Sequence, residues 1–430
     1  MLQERHQPTR EEQAADEIRR TRMTPALARV TAGLFLAVIG AVPLIQHLDE
    51  LNRYRLGFSD RAWPAGRGLG ERLRSAARVY QSTTGAMPRR VLAANRLLLP
   101  ELDSFAREIE EASWMTRLAL PPTQWVMTRW FLTGNEKVYP GRGGWLFYRP
   151  DVDFAAGTPF LDLKGRPDPV ACVADFSRQL NARGIRLIVL PVPPKAAMYP
   201  GLFTGAAKQA PIGNPAFLEF VRRLRKAGVA VLDGSPVLEA GRRQAGHPLY
   251  LAADTHWRPE GMELVARELA DLVSGTGLLA KLAPSGYRRQ LCNVTSYGDT
   301  ATLIKTPASC ELAAPETVRL SQILRPDGLR WTKARDAEVL VLGDSFANIY
   351  SLASLGWGAS AGLVEQLAFL LQRPLDSIAF NDQGAHATRQ ELARQMKQNP
   401  ARLNGKKVVV WEFAARELAF GDWTCIPLGN

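Results

Sequence analysis

Residues 337–346 read AEVLVLGDSF. Ala337 to Leu342, apolar but for Glu338 and without alternation after it, has the texture of a strand buried on both faces of a parallel sheet. Gly343 lets the backbone turn sharply where the strand ends. Asp344 and Ser345 then stand just past a carboxyl end, the side of an open α/β sheet where ligands bind. A hydroxyl delivered there is either a helix cap or a nucleophile.

Working outward, the same texture recurs. Ile185 to Val192 (IRLIVLPV) and Lys407 to Phe413 (KVVVWEF) read as further buried strands, with a short one at Val229 to Leu232. Val170 to Arg183, Asn214 to Ala227, Pro259 to Ser274 and His386 to Gln398 carry helical spacing. GRGGWLFY at 141–148 reads as a turn entering a strand. Strands alternating with helices predict a three-layer α/β domain around a central parallel sheet.

The chain has five histidines, and His256 stands two positions from an aspartate in Asp254-Thr255-His256-Trp257. Such an aspartate can accept from imidazole Nδ1–H, fixing the tautomer and turning Nε2 toward a hydroxyl. Taken with Ser345, the groups are those of a nucleophilic serine site; the alternative is a capping aspartate with a packed histidine. Zinc lacks companion ligands at helical spacing, and no metal or other cofactor is expected. Lys195 and Tyr199 follow the 185–192 strand and can line the same cleft. Asn381, Gln383 and Gly384 offer oxyanion donors, and Arg416 a contact to polymer or a surface pair with Glu412 or Glu417. Trp257 is expected against His256.

The formal charge is +12 and the pI about 9.8, favouring an anionic partner. With no zinc-finger spacing, phosphate loop or RNA-binding aromatic motif, nucleic acid is not that partner. Val30 to Ile45 is apolar and uncharged, behind Arg19, Arg20, Arg22 and Arg29. That is the pattern of an uncleaved signal anchor with the N-terminus in the cytoplasm. The expected layout is a cytoplasmic tail over 1–25, an anchor over 26–47, a stalk and helical lead-in over 48–135, and the α/β domain over 136–430. The domain then lies outside the cytoplasm, in the periplasm of a Gram-negative cell, held to the inner membrane by a single pass. Cys172, Cys292, Cys310 and Cys425 suit that compartment, with Cys292–Cys310 and Cys172–Cys425 one of three possible pairings and free buried thiols the alternative.

GRGGWLFY at 141–148, LPVPPKAAMYP at 190–200, DTHWRPEG at 254–261 and GDSF at 343–346 together resemble the SGNH-hydrolase-like domain of the alginate O-acetyltransferase family, over roughly residues 134–420. The family's D-x-H-W pair falls on Asp254 and His256, and its serine on Ser345. Asp and His precede Ser, the permuted order of the acetyltransferase branch. The resemblance implies transfer of acetyl through an acetyl-serine to sugar hydroxyls of an exopolysaccharide. It also implies a membrane-bound O-acyltransferase as acetyl supplier, and the anchored branch without a carbohydrate-binding module. A carbohydrate acetylesterase with the same triad and a non-catalytic assembly scaffold are the competing functions.

Overall fold

The computed structural model describes residues 24–57, 64–205, 212–307, 312–381 and 384–429. It divides into two compact units, Met1–Pro122 and Thr123–Asn430.

The first unit is helical. The apolar run falls within one helix, Pro25–Arg55, whose N-cap Thr24 accepts from the Leu27 N–H. Among the described residues no helix is long and apolar enough to cross a membrane. The side chains of residues 38, 39, 42 and 43 of this helix, like nearly all of the tail expected over 1–25, lie outside the described residues. Two further helices, Pro64–Ser82 and Met87–Ala112, are joined by Arg72, which donates to the Glu101 carbonyl at 3.0 Å and to Glu108 Oε1 at 2.6 Å.

Among its described residues the second unit carries nine strands: β1 (Val138–Pro140), β2 (Leu146–Tyr148), β3 (Arg186–Val192), β4 (Ala230–Val231), β5 (Arg288–Ser296), β6 (Glu316–Leu324), β7 (Val339–Gly343), β8 (Asp376–Ala379) and β9 (Val408–Ala414). The central sheet is parallel throughout, in the order β4-β3-β9-β7-β8. β1–β2 and β5–β6 are separate antiparallel hairpins.

The layers follow from the period-two geometry of strands. Ile188, Leu190, Val339, Val341, Val408 and Val410 pack on one face, with the helices Pro259–Ser274 and Leu363–Leu371. Leu187, Val189, Leu340, Leu342, Val409 and Trp411 pack on the other, with Pro169–Asn181, Pro215–Lys226 and Gly384–Gln398. Each central strand is therefore sandwiched, which explains its unbroken apolar run. Proline opens several of the helices at a position that needs no N–H. Before two of them, Asp168 and Asn214 cap by accepting from Val170 and Ala216 N–H.

The expected disulfides are corrected where they can be seen. Cys172, Cys292 and Cys425 are free thiols; Cys310 lies outside the described residues. Cys172 adjoins Cys425, but its buried sulfur is held by Arg389 Nη1 at 2.8 Å and by the Thr424 carbonyl at 3.5 Å. Burial pushes that thiol up to about 12, away from the reactive thiolate.

Candidate active site

Ser345 heads the short helix Ser345–Asn348, immediately past the end of β7. Asp344 caps this helix: Oδ1 accepts from Phe346 N–H at 2.8 Å, and Oδ2 accepts from Ala414 N–H at 2.7 Å, tying the turn to β9. Gly343 has no substitute here, since a Cβ would lie 2.7 Å from Ala347 Cβ and 3.0 Å from Glu412 Oε2. The cap and the hydroxyl are thus on adjacent residues of one turn.

The Asp254–Trp257 loop precedes the helix Pro259–Ser274 and brings the other two groups. His256 Nδ1 lies 2.6 Å from Asp254 Oδ1, and Nε2 lies 2.8 Å from Ser345 Oγ. Asp254 Oδ1 also accepts from the His256 N–H at 3.0 Å. Its Oδ2 accepts from Trp357 Nε1 at 2.8 Å and from Asp299 N–H at 2.9 Å. Burial alone would raise the Asp254 carboxyl, but the imidazole charge and these N–H bonds outweigh it and hold the group at about 2. Burial likewise opposes a charged His256, yet the Asp254 carboxylate prevails and raises the imidazole above its ordinary 6.5. The order carboxylate, imidazole, hydroxyl can draw a proton from Oγ and stabilise the imidazolium that results.

Two supports of this array lay beyond the sequence reading. Asp299 accepts from Thr255 N–H at 2.7 Å, and its Oδ2 lies 3.8 Å from His256 Nδ1. Burial and the Asp254 charge push it up to about 6. Its one sequence signal is the preceding Gly298 at φ +85, where a Cβ would meet the Ala253 carbonyl at 2.3 Å. Trp357 reaches Asp254 across 103 residues with no local signal at all. Asp254, His256 and Asp299 bring ligand atoms within 4.8 Å of one another. A cation there would displace the 2.6 Å Nδ1–Oδ1 bond that aims Nε2 at the serine.

The remaining expected residues divide. Lys195 does not face a cleft. It is 1% exposed, and its ammonium donates to the carbonyls of Leu251, Ala252 and Asp254 at 3.0, 3.0 and 2.6 Å. Burial lowers it to about 8. Tyr199 is buried too, its hydroxyl accepting from Leu249 N–H at 2.7 Å. Both residues brace the loop that carries Asp254. Lys195→Met should therefore cost about 3 kcal/mol by stranding three carbonyls, a fall in Tm of roughly 5–10 °C in thermal denaturation; an unchanged Tm would contradict the bracing role.

Asn381 Oδ1 accepts from Asn348 Nδ2 at 3.2 Å, beside the Ser345 helix. Gly384 sits at φ +67, where a Cβ would meet Glu417 Oε2 at 2.3 Å, so packing accounts for this glycine. Gln383 lies outside the described residues. Arg416 pairs with buried Asp151 at 2.9 Å, not with Glu412 or Glu417, and its guanidinium lies 5.9 Å from the Phe346 ring centroid. Glu412 is itself 1% exposed; burial and the Asp344 charge push its carboxyl well above the usual range, behind the Ser345 turn. Trp257 packs edge-on against Phe346 at 5.4 Å, while the ring over His256 is Phe346, at 4.7 Å.

Comparison with known proteins places this geometry in a family. The chain is 27% identical over 292 residues to the probable alginate O-acetylase AlgJ of Pseudomonas aeruginosa, covering 67% of this chain and 72% of that protein. It is 26% identical over 298 residues to the protein of that name from Pseudomonas putida, at the same coverages. The solved O-acetyltransferase domain of Pseudomonas putida AlgJ superposes with a TM-score of 0.51 at 22% identity, over 66% of this chain and 93% of that one, a likeness of fold. Residues 138–415 match the family described as SGNH hydrolase-like domain, acetyltransferase AlgX. That match spans well over half of the sequence, and the chain belongs to this family of SGNH hydrolase-like O-acetyltransferases.

Proposed function

We infer that this O-acetyltransferase moves acetyl groups onto the hydroxyls of a bacterial exopolysaccharide through an acetyl-serine at Ser345. The carrying observation is the continuous contact Asp254–His256–Ser345, with the two outer hydrogen bonds at 2.6 and 2.8 Å. Nε2 takes the Oγ proton as Oγ attacks the donor's acetyl carbonyl. His256 returns the proton to the leaving group, and the acetyl ester on Ser345 remains. A sugar hydroxyl then repeats the sequence, giving its proton to Nε2 as it accepts the acetyl group. As first residue of its helix, Ser345 carries an N–H with no intrahelical acceptor, suited to the developing oxyanion. A polysaccharide acceptor is supported by the relatives named as alginate O-acetylases.

The same reading puts the domain in the periplasm, with residues 26–47 as a single-pass inner-membrane anchor and a membrane-bound O-acyltransferase as acetyl supplier. Its support is the uncharged run Val30 to Ile45 behind a basic flank, and the exposure of Leu34, Phe35 and Leu36 on its helix. Incubation with an activated acetyl ester tests the chemistry. The peptide containing Ser345 should carry one acetyl group by mass spectrometry and lose it when oligosaccharide is added. An unmodified Ser345 in protein that turns over the ester would overturn the covalent route.

A further inference from the structure

A cavity of about 680 Å³ lies in the second unit, and none of its lining residues belongs to the Asp254–His256–Ser345 array. The volume is that of a ligand site. Tyr139, Trp145 and Phe203 contribute aromatic surface, and Arg129 and Arg142 contribute two guanidinium groups. Among the described residues no carboxylate lines it, and neither guanidinium is paired with an acid.

The cavity is built by the 141–144 turn between β1 and β2. At Gly141 a Cβ would meet the Phe147 ring at 2.5 Å and the Leu202 carbonyl at 2.7 Å; Gly143 and Gly144 stand at φ +61 and +79. Arg142 occupies the space beside Gly205, where a Cβ would fall 2.0 Å from its guanidinium carbon. The turn and the missing side chain at 205 together hold this cation in the wall.

The cavity also borders a second one. Leu312 lines it and a neighbouring cavity of about 390 Å³, whose wall includes Tyr297, Ala301 and Thr302. Those residues flank Asp299, which bonds the Asp254 loop.

We propose that the Arg129–Arg142 cavity is a binding subsite for an acidic saccharide, holding the acceptor chain at a distance from Ser345. Arginine presents a planar fork matched to a sugar carboxylate, and aromatic faces take the apolar faces of pyranose rings. A phosphate-sized anion would have no use for the aromatic wall. An anionic membrane surface has no means of entering a concave site. The proposal rests on the acetyl-transfer reading and deepens it by locating the acceptor.

The test pairs the intact chain with Arg129→Ala/Arg142→Ala, both side chains being exposed and outside the fold's core. A short oligouronate, a neutral cello-oligosaccharide of equal length and anionic phospholipid vesicles are titrated against each. The oligouronate should bind wild type with an affinity that falls as salt rises, and the double variant at least ~10-fold more weakly. In acetyl transfer to the oligouronate, KM should rise by the same factor with kcat held, the mark of lost uniform binding. Turnover of the activated ester without acceptor should not change. Equal oligouronate affinity in both proteins, equal binding of the neutral chain, or a loss confined to vesicles would each overturn the subsite. Failure to acetylate Ser345 would instead defeat the acetyl-transfer reading and leave this binding comparison standing.

Discussion

Ser345→Ala is expected to lower acetyl transfer by about 10⁴-fold or more, with folding unchanged. The hydroxyl is small and, among the described residues, bonds to the His256 side chain alone. The helix it heads is fixed by the Asp344 side chain, and the turn by Asp344 and Glu412; both survive the substitution. What is lost is the hydroxyl at 2.8 Å from Nε2 that would carry the acetyl group. His256→Ala should fall to a similar level, and the double variant little further, because the residues act as one unit. Acetylation of polysaccharide in cells and turnover of an activated ester in vitro should fail together. A variant retaining more than about a tenth of wild-type transfer would overturn the acetyl-serine route, since loss of the nucleophile leaves no such activity.

The parts of this protein that were legible in sequence are those where one residue type answers one local demand. Buried strands announce themselves as apolar runs because both faces are covered, and β3, β7 and β9 lie within a residue or two of their expected bounds. The helix Pro259–Ser274 was readable to the residue because proline marks its first turn. Asp254 and His256 were legible because their bond is local, and Ser345 because a glycine turn ends a buried strand.

What escaped reading depends on partners distant in sequence. β5 and β6 form a hairpin with one open face, and Arg288, Arg289 and Gln290 give β5 no apolar run to notice. β8 is four residues long and places Asp376 in the interior, where Arg402 Nη2 and Lys406 Nζ lie 2.7 and 2.9 Å away. Lys195 looked like a cleft cation because nothing in its own segment reveals three carbonyls more than fifty residues away. Glu412 within KVVVWEF, read as a surface partner of Arg416, is instead a buried carboxyl in a strand otherwise apolar after Lys407. It bonds the Asp344 N–H at 2.9 Å, and so marks the nucleophile turn from behind.

Asp254→Asn should reduce kcat by about 10⁴-fold and leave a distinctive pH signature. The amide can present its NH₂ to Nδ1, which favours the tautomer with its proton on Nε2, the wrong one for accepting from Ser345 Oγ. In wild type the active form requires neutral His256, and the Asp254 carboxylate raises that imidazole. The acid limb of kcat/KM should therefore lie above pH 6.5, falling tenfold per unit below it. In the variant burial is opposed by the more distant Asp299 in place of Asp254, so the limb should shift to lower pH while the plateau collapses. Stability reports the same linkage. For His256, a folded value above the unfolded 6.5 gives stabilisation that is full below 6.5 and is lost as pH rises through the folded value. For Asp254, held at about 2 against 3.8, stabilisation is present above 3.8 and is lost as pH falls toward 2. The two shifts describe one ion pair, present near pH 5; at pH 9 His256 is neutral and only the hydrogen bonds to the Asp254 carboxylate remain. The Tm deficit of Asp254→Asn should accordingly be larger at pH 5 than at pH 9. A deficit independent of pH would mean that Asp254 supports the loop through Trp357 and Asp299 alone, and that the imidazole beside it takes no charge in the folded state.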